Sequence, residues 1–190
     1  MAIPIKNKRY TYKDYINWSD EEKYEIIEGT PYYMAPAPMR IHQEVSGELF
    51  FQIRSYLQGK ECRVYAAPFD VRLCKDETQD DKDIMNVVQP DITVICDSEK
   101  LDEKGAKGVP DFIIEIVSQS STFIDYVKKL NLYGDFGVKE YWIVNPMKKN
   151  VLVYKIMEDG KYGMPEIYNE EDSIKVSIFK DLTIYLKSIW

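Results

Sequence analysis

Apolar residues along this chain recur with two different periods, and the switches between them predict the order of elements. Val45, Leu49, Ile53 and Leu57 follow at four-residue steps after His42, the spacing of an amphipathic helix that ends near Gly59. Phe123, Val127, Leu130 and Gly134 trace a second helical stripe, closed by Gly137. A short helix over residues 11–18 precedes both, with Thr11 and Asp14 spaced as a capping pair. Strand-forming runs make a hairpin of residues 24–27 and 31–34 around a Glu28-Gly29-Thr30 turn. Further strands are predicted at 62–65, 69–73, 87–96, 109–117, 141–144, 151–156, 174–178 and 182–186. Ala35-Pro36-Ala37-Pro38 is a connector, because a proline-rich run suits neither a central strand nor a helix interior. Residues 75–83 and 97–108 read as charged surface loops. Strands, then a helix, then a strand predict the α/β class: a mixed β-sheet flanked by helices, with an N-terminal helix and β-hairpin.

Composition adds limits rather than identity. The 190 residues suit a single domain, and 45% hydrophobic with 30% charged residues is an ordinary globular balance. No run approaches the roughly 20 apolar residues that span a bilayer, and no apolar segment follows the basic N-terminus as a secretory signal would require. Cys62, Cys74 and Cys96 are odd in number and lack metal-ligand spacing, which reads as a reduced, cytoplasmic protein. The net charge of −7 argues mildly against nucleic acid as a partner. A carboxylate site that a cation makes attractive to phosphate would weaken that objection.

The informative residues are acids where apolar side chains are expected. Glu115 sits within Phe112-Ile113-Ile114-Glu115-Ile116-Val117, the middle of the most apolar run in the chain. A carboxylate buried there is costly unless it is paired or bound to a cation. Alternation puts residues 113, 115 and 117 on one face and 112, 114 and 116 on the other. Asp91 opens another apolar strand after Gln89-Pro90. Two neighbouring strands that each project one carboxylate would suit a hard divalent cation, with the carbonyl of Ile116 as a further donor. The bland alternatives are a strand-end ion pair for Glu115 and a turn aspartate at 91. A positive group must come from elsewhere, and the following helix offers Lys128 and Lys129 on opposite flanks of its stripe. Helical spacing does not choose between them, and both read equally well as solvated lysines.

Taken together, these residues resemble the PD-(D/E)XK nuclease signature, with Pro90-Asp91 followed by Glu115-Ile116-Val117 and the lysine missing from its usual place. More narrowly, the chain resembles the Uma-two family of bacterial restriction endonucleases from about Tyr12 to the C-terminus. The matching stretches are Tyr24-Glu25-Ile26-Ile27-Glu28-Gly29, His42-Gln43, residues 67–73, Val88-Gln89-Pro90-Asp91 and residues 110–116. Residues 129–133 and 137–146 continue the series. Asn145, where an aspartate is common, and Thr30, where an acid is common, depart from it.

The resemblance implies a restriction-endonuclease-like fold over a single nuclease-like domain, 1–190. It implies that Asp91 and Glu115 ligate Mg²⁺ (or Mn²⁺) and that Lys129 is the displaced catalytic lysine. Glu25 would complete the metal shell or hold a water, while His42 and Tyr133 would support the site or contact substrate. The implied reaction is metal-assisted hydrolysis of phosphodiesters, with DNA as the expected partner and a cytoplasmic homodimer as the expected assembly. The alternative is a non-catalytic module on the same fold that grips nucleic acid or protein without cutting.

Overall fold

The computed structural model describes residues 8–18, 23–34, 39–118 and 124–190, so the connector at 35–38 and Phe123 lie outside the described residues. Helix α1 (Tyr12–Tyr15) is shorter than expected but carries the capping box, in which Asp14 Oδ2 accepts from the Thr11 backbone and hydroxyl. Strands β1 (Tyr24–Ile27) and β2 (Thr30–Tyr33) form the hairpin. Thr30 pairs with Ile27, which leaves Glu28 and Gly29 as a two-residue turn with φ of 51° and 74°. Positive φ at both positions is what a tight hairpin of right-twisted strands requires. Helix α2 (Arg40–Leu57) buries the stripe expected of it: Val45, Leu49, Ile53 and Leu57.

The strands then divide between two six-stranded sheets. They are β3 (Arg63–Ala66), β4 (Val71–Arg72), β5 (Val87–Val88), β6 (Ile92–Ile95), β7 (Leu101–Asp102), β8 (Gly105–Lys107) and β9 (Phe112–Ile116). After a helical segment come β10 (Glu140–Asn145), β11 (Asn150–Lys155), β12 (Glu166–Asn169), β13 (Ser173–Lys175) and β14 (Thr183–Tyr185). One sheet has the order β2-β1-β5-β4-β8-β7, the other β12-β11-β10-β9-β6-β3, and β13 with β14 forms a separate ribbon. In the second sheet β9 runs parallel to β10 and antiparallel to β6. The parallel pair needs a crossover, which the helical segment 124–136 supplies.

β9 is buried at every residue, and its two faces serve different cores. Phe112, Ile114 and Ile116 pack with the α2 stripe, Trp142 and the C-terminal ribbon. Ile113 and Val117 pack with Tyr133, Tyr141 and residues of the first sheet. No helix among the described residues is long and apolar enough to cross a membrane.

Four readings of the sequence are corrected. The run 87–96 is two strands: β5 pairs with β1 and β4, whereas β6 pairs with β3 and β9. Pro90 stands in the break, where the missing N–H removes a ladder bond. The charged segment 97–108 contains the β7–β8 hairpin, whose strands of two and three residues are too short for alternation to register. In the second helix Val127 is 42% exposed, while Lys129, Leu132 and Tyr133 turn inward. The cause is a π-helical stretch over Ile124–Lys129, continued by α3 (Leu130–Phe136), which shifts the helical phase. Finally, Cys62 and Cys96 form a disulfide and only Cys74 is a free thiol. The pair stands directly opposite across β3 and β6, one step beyond Arg63 and Ile95, a juxtaposition that sequence spacing does not reveal.

Candidate active site

The chain places a carboxylate, Glu115, on the β9 face turned toward the crossover helix, where it is 4% exposed. Such a group must be compensated, since isolated burial of its charge is prohibitive. The helix supplies the compensation from two consecutive turns. Lys129 Nζ lies 2.9 Å from Glu115 Oε1, and the Tyr133 hydroxyl donates to that same oxygen at 2.8 Å. Residues four apart on a helix share a face, so one inward stripe delivers both groups. Burial, then the charges of Glu115 and Glu25, push the Tyr133 phenol well above its usual range and keep it a hydrogen-bond donor.

Lys129 also joins the two sheets. Its ammonium is 2.9 Å from Glu25 Oε1 on β1, so one buried cation bridges carboxylates from β1 and β9. The Glu25 oxygen accepts in addition from the backbone N–H of Gln89 at 2.8 Å. Gln89 in turn donates its amide to Asp70 Oδ1 at 2.6 Å and to the Tyr15 hydroxyl at 3.1 Å. Tyr15 donates to Asp70 at 3.1 Å, and burial followed by the Asp70 charge raises its phenol. Gln89, Asp70 and Tyr15 are therefore a polar layer behind Glu25 that the sequence reading did not single out. The available signal was Gln89 and Asp70 standing beside apolar strand residues.

Asp91 approaches from the other side. Ile92 faces Ile114 across the antiparallel pair, and one further step in that register sets Asp91 opposite Glu115. Its Oδ2 accepts from the Ile116 N–H at 2.7 Å, so it caps the strand residue next to Glu115. Its Oδ1 lies 3.3 Å from His42 Nε2 at the start of α2. The structure thus gathers Glu25, Glu115, Lys129 and Tyr133 into one cluster and His42 with Asp91 into a second. The two meet at the carboxyl end of β9. Of the two candidate lysines, Lys129 is the one joined to these carboxylates.

Among the described residues no group of three or more His, Cys, Asp or Glu side chains forms a ready-made metal cage. Mg²⁺ does not require one, because it keeps several waters and takes one or two carboxylates plus substrate oxygens. Asp91 and Glu115 are hard oxygen donors of that kind, and the β6–β9 register continued by one step sets their backbones opposite each other.

A family model described as Uma2, "Putative restriction endonuclease", matches residues 12–187. An uncharacterized protein of Synechocystis sp. is 23% identical over 155 residues, which cover 79% of this chain and 76% of the relative. A crystal structure of a "putative nuclease belonging to DUF820" from Anabaena variabilis superposes with a TM-score of 0.74 at 20% identity, covering 98% of this chain and 97% of the other. At that identity the likeness establishes a shared fold.

Proposed function

This chain belongs to the Uma2 family, and from that premise we propose that it is a divalent-metal-dependent endonuclease hydrolysing phosphodiester bonds, with DNA as its substrate. The observation that carries the reading is the buried lysine between two carboxylates, Glu25 and Glu115, beside the strand-end Asp91. A fold that needed only stability would do as well or better with apolar residues at such positions. Desolvated charge gathered in one place is a mark of functional sites.

Asp91 and Glu115 would hold Mg²⁺ or Mn²⁺, which when bound polarises the scissile phosphate and makes water a better nucleophile. Lys129 supplies positive charge where negative charge develops on the phosphoryl oxygens, in a site of low dielectric that strengthens the attraction. Tyr133 and Lys129 fix the rotamer of Glu115 through its Oε1. Glu25 holds Lys129 from the opposite side and is itself held by the Gln89 N–H. Ile116 N–H and His42 orient the Asp91 carboxylate by one oxygen each. Cutting both strands of a duplex calls for two such sites, so a homodimer of single-domain chains completes the reading.

Cleavage of supercoiled plasmid with Mg²⁺ or Mn²⁺ tests it. Wild-type cutting that Asp91→Ala and Lys129→Ala abolish supports the assignment, and undiminished cutting by Asp91→Ala refutes it. One observation favours a second reading, a non-catalytic binding module: Lys129 already compensates both Glu25 and Glu115. That reading predicts nucleic-acid or protein binding that needs neither Mg²⁺ nor Asp91, and calorimetric titration of Mg²⁺ separates the two.

A further inference from the structure

Helix α2 carries a glycine in its interior that the described chain does not explain. Glycine weakens a helix relative to alanine and is retained there for a backbone conformation or a close approach. Gly47 has no positive φ, and a Cβ built on it meets no heavy atom within 4 Å among the described residues. Neither the helix nor its packing asks for glycine.

What Gly47 does is line a pocket of about 190 Å³ together with His42, Gln43, Phe50, Ala66 and Asp91. Gln43, Gly47 and Phe50 recur at helical spacing, so they present one face of α2 to it. Asp91 belongs both to this pocket and to the candidate metal pair, so the pocket adjoins the candidate centre at that residue. Its volume is below the roughly 300–1,000 Å³ of sites that enclose whole small molecules, so it suits one part of a larger ligand. Its chemistry is mixed: the Phe50 ring is an apolar surface, while the Gln43 amide offers hydrogen-bonding groups. Among the described residues none that line it is a lysine or arginine, so a neutral group fits it better than a phosphate.

We propose that this pocket receives the nucleoside unit adjoining the scissile phosphate. Gly47 is glycine so that the sugar can lie directly against the α2 backbone. The proposal rests on the nuclease reading and extends it to a substrate subsite. Gly47 has no side chain with which to take part in the chemistry, so it acts on affinity and positioning.

The test compares wild type, Gly47→Ala and Gly47→Leu. Thermal melting reports the helix, and fluorescence anisotropy of a short labelled DNA duplex with Ca²⁺ reports binding. Gly47→Ala should raise Tm by roughly 2–4 °C, the scale expected for a relieved helix glycine in a chain of this size. Both variants should bind DNA more weakly, Gly47→Leu by at least about tenfold, because side-chain carbons now occupy the sugar's place. Mn²⁺ affinity, read by calorimetry, should stay at the wild-type value. Variants that gain stability and bind DNA as wild type does overturn the proposal. So does a change of oligomeric state in light scattering with DNA affinity intact, which would make a second copy of the chain the occupant. If the wild type itself neither binds nor cuts nucleic acid, the nuclease reading fails first. Wild-type cutting with unchanged Gly47→Leu affinity overturns the pocket alone.

Discussion

Lys129 Nζ and Glu115 Oε1 meet at 2.9 Å although the residues are 14 apart in sequence, each only about 4% exposed. The strand β9 and the helix that follows it are thus joined by charge as well as by packing. Because Glu25 shares the same ammonium, the contact ties the second sheet to the first. Breaking such a pair from one side leaves the other charge buried and uncompensated, which is far more damaging than replacing both.

Lys129→Met should therefore destabilise the fold by about 3–5 kcal/mol. It should also abolish cleavage. With Glu25 and Glu115 left facing each other, Mg²⁺ should raise the Tm of the variant more than that of the wild type. Melting curves with and without Mg²⁺ check this, and an equal metal response in both proteins would count against a cation site at Glu115.

Tyr133→Phe removes one hydrogen bond to the Glu115 carboxylate and nothing else of size. The expected loss is about 1.5–3 kcal/mol of stability, the usual worth of a bond to a charged group. Turnover should fall about tenfold as Glu115 loses its fixed rotamer. The phenol is pushed well above its usual range, so the alkaline limb of the pH–rate profile should not move. A shifted limb would mean that Tyr133 titrates during the reaction.

Glu140 offers a pH test away from the site. It is fully buried, accepts from Trp142 Nε1 and from the backbone N–H of Ser177 at 2.6 Å each, and also accepts from the Ser177 hydroxyl. Burial raises its pKa above the ordinary carboxylate value despite these bonds. The native state then holds a proton that the unfolded state has already released. Stability contributed by this group is fully present below the unfolded carboxylate pKa and falls as pH rises through the raised one. Glu140→Gln should remove that slope. It should also destabilise by about 1–3 kcal/mol, since its amide faces the Ser177 N–H. Chemical denaturation across the acidic range measures both.

Gly105→Ala should disturb the polar layer behind Glu25. Gly105 has φ of 118°, and a Cβ there would come within 2.3 Å of the Asp70 carbonyl oxygen. The backbone of Asp70 must move, and with it the carboxylate that holds Gln89 and Tyr15. A loss of about 2–4 kcal/mol from strain and overlap is expected. Nuclease activity should drop with it, while Gly59→Ala, a positive-φ glycine with no neighbour within 4 Å among the described residues, should lose stability with activity retained. Parallel melting and cleavage assays of the two variants decide the point.

Much of this molecule was legible in the sequence. The β1–β2 hairpin, the α2 stripe, the fully buried β9 and the β10–β11 hairpin follow from short-range periodicity and turn chemistry. Glu115 and Asp91 stood out because acids interrupt apolar runs, and Glu25, His42 and Tyr133 came through resemblance alone. Other features were not legible. Helical spacing left Lys128 and Lys129 level, since a regular wheel does not anticipate the π-helical stretch that turns Lys129 inward. That Gln89 and Asp70 join Tyr15 was not legible either, because Tyr15 lies 55 to 74 residues from the other two.

The sequence by itself determined the elements and their buried faces, because alternation and helical spacing are properties of neighbouring residues on one backbone. Only the tertiary structure decided the pairings: β5 and β6 in different sheets, Cys62 against Cys96, and Lys129 between Glu25 and Glu115. Those depend on free energies of contact between distant segments. A buried charge in particular is tolerable only where the rest of the fold brings its partner.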